Sequence, residues 1–120
     1  MEFDKEYEKV IMQIIAASGG ARSYAMEALA LAKDGHPEEA EESLAEARTC
    51  LIEAQKVHGA ILADSINNPG NTPLLTVHAE DQIMGAVVVI DMAGAYLDLY
   101  RDVHALRGGA TAVPDELSVA

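Results

Sequence analysis

Between Pro73 and about Leu106 the chain carries apolar residues around nearly the whole circumference of a helix, with Glu80, Asp91, Asp98 and Asp102 confined to one narrow wet strip. A helix dry over most of its surface has to sit in the middle of something. Two partner helices from the same chain cover too little of it, so the sequence predicts self-association with this helix inside. At its head lies Thr76-Val77-His78-Ala79-Glu80-Asp81-Gln82-Ile83-Met84. On a helical wheel His78, Gln82, Gly85 and Met92 share one side, and Asp81 opens a neighbouring stripe through Val88, Ala95 and Leu99. A carboxylate in such a stripe is costly unless it is paired, protonated or bound to a metal. The remaining option is a register shifted by one position, which leaves Asp81 wet.

A chain of 120 residues implies one domain with a small but real core. The formal charge of −12, from 8 basic and 20 acidic side chains, argues against nucleic-acid or anionic-membrane binding and favours a partner with a basic face. Cys50 is the single cysteine, so no intrachain disulfide forms and a reducing cytoplasm is the expected compartment. In mid-helix it reads as small core filler rather than a nucleophile. The first eight residues are acidic, unlike a signal peptide. The longest uncharged apolar run, Ile83 to Ile90, is too short to cross a bilayer, and the expectation is a soluble protein.

Helix one is predicted from Asp4 to Lys33, with Ile11, Ile14, Ile15, Ser18, Ala21, Ala25, Ala28, Leu29 and Ala32 at helical spacing. Ser18-Gly19-Gly20 marks a bend or a close helix approach. Asp34-Gly35-His36-Pro37 ends this helix and starts the next, with His36 as a cap. Helix two runs from Pro37 to about Ser65, burying Ala40, Leu44, Ala47, Leu51, Ala54, His58 and Ile61. A loop rich in Asn, Pro and Gly follows, and Thr72 is the expected cap of helix three with Pro73 in its first position. Residues 108–120 read as a flexible acidic tail after a domain of residues 1–107. The fold class is all-α, an up-down-up three-helix bundle.

The segment Leu75 to Met84 resembles the active-site stretch of enzyme IIA of the lactose/chitobiose (cellobiose) class of the bacterial sugar phosphotransferase system, whose pattern is His-Ala/Gly-Gln-Asp-His-Leu-Met. Ala21-Arg22-Ser23, Ala28, Ala32, Glu53-Ala54 and Leu99-Tyr100 fit the same family, so the resemblance spans roughly residues 8 to 105. It implies a cytoplasmic homotrimer of three-helix bundles with the third helix at the centre. It further implies that His78 accepts a phosphoryl group from the phosphocarrier protein HPr and passes it to a cysteine of a IIB domain, which phosphorylates the sugar admitted by the IIC channel. Asp81 then matches the family aspartate that gathers on the trimer axis around a divalent metal, Mg2+ being expected at one per trimer. Hard cations take oxygen ligands; shared protons are the alternative remedy for three facing carboxylates.

Two positions depart from the pattern: Gln82 stands where the family has His, and Glu80 where it has Gln. In helix two, His and Gln are exchanged in Ala54-Gln55-Lys56-Val57-His58. Gln82, one turn from His78, is a group able to orient the ring or donate to phosphate oxygens, and Glu80 adds negative charge near the site. Taken without the resemblance, His78 reads as a structural histidine. As a relay residue it has to be a neutral, exposed imidazole. His104, late in helix three, suits the negative end of that helix's dipole, and His58 reads as structural. Two other classes stay open: an oligomeric scaffold or regulatory protein that kept the bundle but lost the relay, and a metal-binding bundle using His58, His78 and His104.

Overall fold

A computed structural model describes residues 4–70 and 72–110. It contains three helices in sequence, α1 (Lys5–Lys33), α2 (Pro37–Asn67) and α3 (Leu74–Ala110), forming a rod of 69 × 19 × 19 Å. Among the described residues there is no strand. The up-down-up order follows from the short connections, which leave consecutive helices no room except side by side and antiparallel.

The ends of the helices are set by identifiable groups. Asp4 caps α1, its carboxylate accepting from the Tyr7 N–H at 2.9 Å. At the other end Gly35 takes φ +87°, a left-handed conformation that glycine adopts without Cβ strain. The N–H of His36 then reaches the Leu31 carbonyl and that of Gly35 the Ala32 carbonyl, the paired bonds of a Schellman stop. His36 occupies the N-cap position of α2 as expected, but its side chain makes no capping hydrogen bond; Pro37 opens the helix by its preset φ instead. α3 starts one residue later than predicted. The carbonyl of Pro73 accepts from Val77, so Pro73 itself is the last residue before the helix.

α3 also runs on to Ala110, carrying helix past the start of the expected tail; residues 111–120 lie outside the described part of the chain. α1 is unbroken through Ser18-Gly19-Gly20. Gly20 faces the Cys50 sulfur of α2, 3.7 Å from where a Cβ would stand, and nothing crowds Gly19. Thus only one of the two glycines lies at a helix contact, and an alanine would fit there.

The core divides into two sections. Nearer the α2–α3 loop, the large side chains of Tyr7, Ile11, Ile14, Ile61 and Ile83 interlock over Ala54 and Ala79. Toward the α1–α2 turn the buried set is largely alanine, with Leu44, Ile90 and Leu97 filling between the small residues. Small side chains let helix axes approach closely, and the far half of the bundle is built that way. Ile15, Leu29, Leu51 and His58 of the predicted core are only half buried. A Ser43 hydroxyl donating 2.8 Å to the Tyr24 carbonyl joins α2 to α1.

α3 buries Ala79, Ile83, Ala86, Ile90, Ala93 and Leu97 against α1 and α2, with spacings alternating between four and three residues. Its opposite side is not covered. Val77, Met84, Val88, Met92, Ala95 and Leu99 all face outward, Val88 with 58% of its surface exposed. By length and composition the helix Leu74–Gly108 is apolar enough to cross a bilayer, a property that the uncharged run Ile83 to Ile90 alone does not reveal.

One polar atom inside the core is orphaned. Ser18 is fully buried and its hydroxyl has no hydrogen-bond partner among the described residues. An unpaired buried hydroxyl costs on the order of 1–3 kcal/mol, and serine is also a poorer helix former than alanine. Ser18→Ala is therefore expected to stabilise the fold by roughly 1 kcal/mol, read as a higher urea midpoint at unchanged slope. A lower midpoint would mean that the hydroxyl has a partner.

Candidate functional site

The head of α3 is anchored before the site begins. The Tyr7 and Thr76 hydroxyls share a buried hydrogen bond of 2.8 Å, linking the first turn of α1 to the residue two before His78. Thr76, Ala79 and Ile83 are buried, and this fixes the rotation of the helix. With about 100° per residue, everything between them is then assigned a direction.

His78 and Asp81 come out exposed, on the side of α3 that faces away from the bundle. Together with Leu74, Leu75 and Val77 they line a shallow, mostly apolar groove at the start of the uncovered stripe. Leu74 is 83% exposed and Val77 51%. Asp81 thus stands in the apolar stripe as predicted. In the single chain, however, that stripe is wet, so the carboxylate is hydrated unless another molecule covers it.

Gln82 is half buried, and its Oε1 accepts a hydrogen bond of 2.8 Å from Nη1 of Arg22 on α1. Arg22 was visible in sequence only as part of a family match; its tie to Gln82 needed the packing of α1 on α3. Glu80 points elsewhere. It lies about 160° around the helix from His78, toward α2, where its Oε2 is 3.7 Å from Nε2 of His58. The expectation that Glu80 adds charge beside the histidine is corrected accordingly: its carboxylate belongs to the α2 side of the bundle.

The other histidines do not join the site. His104 is about 39 Å further along α3, from 26 residues at 1.5 Å each. Its Nε2 lies 3.1 Å from the carbonyls of both Ala32 and Lys33, which only accept, so that nitrogen carries the proton. The residue therefore satisfies the C-terminal carbonyls of α1 rather than those of its own helix. Tyr100 stacks on the same ring, with centroids 6.3 Å apart. No three His, Cys, Asp or Glu side chains converge within one chain among the described residues, and of the three histidines of a metal-binding bundle, His104 lies at the other end of α3 from His78.

Cys50 is half buried, and burial first, then the carboxylates of Glu53 and Glu46, pushes its thiol pKa up. A nucleophilic cysteine needs the opposite environment.

The family model described as "PTS system, Lactose/Cellobiose specific IIA subunit" matches residues 9–101. The chain is 37% identical over 108 residues to the lichenan-specific phosphotransferase enzyme IIA component of Bacillus subtilis, covering 89% of this chain and 98% of that one. It is 30% identical over 102 residues to the N,N'-diacetylchitobiose-specific EIIA component of Escherichia coli K12, covering 84% and 88% respectively. The crystal structure of the cellobiose-specific enzyme IIA from Bacillus anthracis superposes with a TM-score of 0.77 at 32% identity, over 87% of this chain and 95% of that one.

The environment of Cys50 makes a chemical prediction. Because its pKa is raised, less thiolate is present at any pH below the transition, so alkylation by iodoacetamide at pH 8 is expected to run slower than for a free cysteine. A rate matching free cysteine at pH 8 would contradict the burial described here.

Proposed function

The chain belongs to the lactose/cellobiose-specific IIA family of the sugar phosphotransferase system, whose members carry and transfer phosphoryl groups, and on that premise we propose that His78 is the residue that carries the phosphoryl group. The observation that supports this is its exposure at the rim of an apolar groove, beside a stripe that another protein surface can cover. A neutral imidazole is nucleophilic near neutral pH, and its phosphorylated form is a good leaving group. A lone pair on the His78 ring attacks the phosphorus carried by HPr. The new N–P bond forms as the bond to HPr breaks, and the electron pair of that bond stays with HPr. A cysteine thiolate of the cognate IIB domain repeats the displacement, leaving an S–P bond and free His78. The substrate of the whole system is a disaccharide of the lactose, cellobiose or chitobiose type, admitted by a membrane IIC component. The IIA chain itself works in the cytoplasm.

The assembly we propose is a homotrimer with α3 innermost. Val77, Asp81, Met84, Val88, Met92, Ala95 and Leu99 are separated by steps of four, three, four, four, three and four residues. That averages close to the period of about 3.6 of a straight helix, so the seam runs along α3 with little supercoil. An uncovered apolar stripe of this length is unusual on a monomer and marks an interaction face. Five carboxylates along α3 argue for a protein partner rather than lipid.

Three copies would bring three Asp81 carboxylates to the seam. The described residues of one chain offer no ligand cluster, but three facing carboxylates supply the oxygen donors that a hard divalent cation such as Mg2+ accepts. Bound there, one cation per trimer neutralises charge that would otherwise repel across the axis. Asp81 holds it, and the phosphoryl transfer does not pass through it.

Incubation with phosphoenolpyruvate, enzyme I and HPr is expected to give an acid-labile, base-stable phosphoryl adduct on the wild-type chain and none on His78→Ala; equal labelling of the two would eliminate His78 as acceptor. For Asp81→Leu, native mass spectrometry is expected to show the trimer intact and metal-free, because an apolar side chain removes buried charge at no cost in shape. Dissociation into monomers would instead make the cation necessary for assembly.

A further inference from the structure

The relay reading leaves Arg22 without a task, although its place in the bundle is specific. It lies on α1 directly after Ala21, which is fully buried, as is Ala25 one turn on. These small residues let α1 lie close to α3 and carry the exposed Arg22 side chain to Gln82. Among the described residues no carboxylate is paired with Arg22. By contrast Arg101, at the far end, lies 3.3 Å from Glu41.

The contact decides which way the Gln82 amide faces. A guanidinium offers only donors, so the atom it meets must be the amide oxygen. The orientation, elsewhere an arbitrary assignment, is here dictated by the partner. With Oε1 held by Arg22, the half of Gln82 left for other contacts is its NH2 group, a pure donor. Gln82 is four residues after His78, so the two side chains are neighbours on one face, with Cβ atoms about 5–6 Å apart. A donor suits both states of a carrier histidine: it meets the acceptor nitrogen of the free ring and the oxygens of the loaded one. Loading also adds nearly two negative charges to a chain already at −12, and Arg22 is an unneutralised cation within reach of that region.

We infer that Arg22 is a positioning residue for the relay, holding the Gln82 amide with its donors turned to the face of His78 and countering the charge of the phosphoryl group once it has arrived. This rests on the relay reading. It also gives a reason why glutamine serves at position 82: like a neutral imidazole, the amide accepts on one side and donates on the other.

The test uses the full chain with phosphoenolpyruvate, enzyme I and HPr, and measures the equilibrium between phosphorylated HPr and phosphorylated His78 together with kcat and KM for HPr. Arg22→Met is expected to keep its helicity and native mass, to shift the equilibrium about tenfold against loading, and to lower kcat more than it changes KM. Arg22→Lys, which keeps charge and a donor, restores most of the loss, and Gln82→Leu resembles Arg22→Met. Should Arg22→Met lose helicity, Arg22→Ala replaces it, since alanine favours the helix and removes both the bond to Gln82 and the charge. The inference is overturned if the neutral variant loads to the wild-type equilibrium with unchanged kcat, whatever its thermal midpoint does, because a contact that only fastened α1 to α3 would behave that way. A wild-type chain that takes no label overturns the relay reading itself, an outcome distinct from labelled wild type with indifferent Arg22 variants.

Discussion

Everything in this molecule depends on α3 being apolar on two sides at once. One row of buried residues, Ala79 through Leu97, closes the bundle with α1 and α2. A second row, Val77 through Leu99, faces away from it. A helix with one apolar side would settle into its own bundle and leave a polar exterior. With two, the chain satisfies one by folding and leaves the other exposed. The residues between the two rows are where chemistry can be placed, since they lie at the margin of whatever covers the stripe. His78 and Gln82 occupy that margin on the side of α1.

Rotation of α3 about its axis is consequently the controlling variable, and it is set at the head of the helix. The buried bond between Tyr7 and Thr76 and the burial of Ala79 and Ile83 leave His78 no inward option. A turn of 100° toward the position of Ala79 would bury the imidazole, and one of 100° the other way would put it in the middle of the apolar stripe with Val77. The same rotation sends Glu80 to His58 on α2 and Gln82 to Arg22 on α1. Neighbours in sequence therefore have unrelated surroundings: a carboxylate two residues from His78 does not share its environment, while an arginine 56 residues away is tied to the next turn.

Much of the architecture could be read without coordinates. The three helices, the glycine stop at Gly35 and most of the α1 and α2 cores followed from periodicity and turn chemistry, because these are local properties of the chain. The errors fell where local signals compete. Pro73 tolerates either the first helical position or the one before it, and the Gly108-Gly109 pair did not end a helix whose preceding turns were already formed. His36 has a capping position but no capping bond, because the Schellman stop and Pro37 already order that turn.

By itself the order of residues determined an all-α bundle, a third helix too apolar for its own chain, and a histidine and an aspartate at the head of that helix. These depend on side-chain identity and a fixed angular step per residue, both of which are written in one dimension. Only the tertiary structure decided that Arg22 holds Gln82, that Glu80 turns to α2, and that His104 completes the end of α1. Such pairings depend on the separation and relative rotation of two helices. Those are fixed to an ångström by the sizes of buried alanines and isoleucines acting together, and no single position along the chain encodes them.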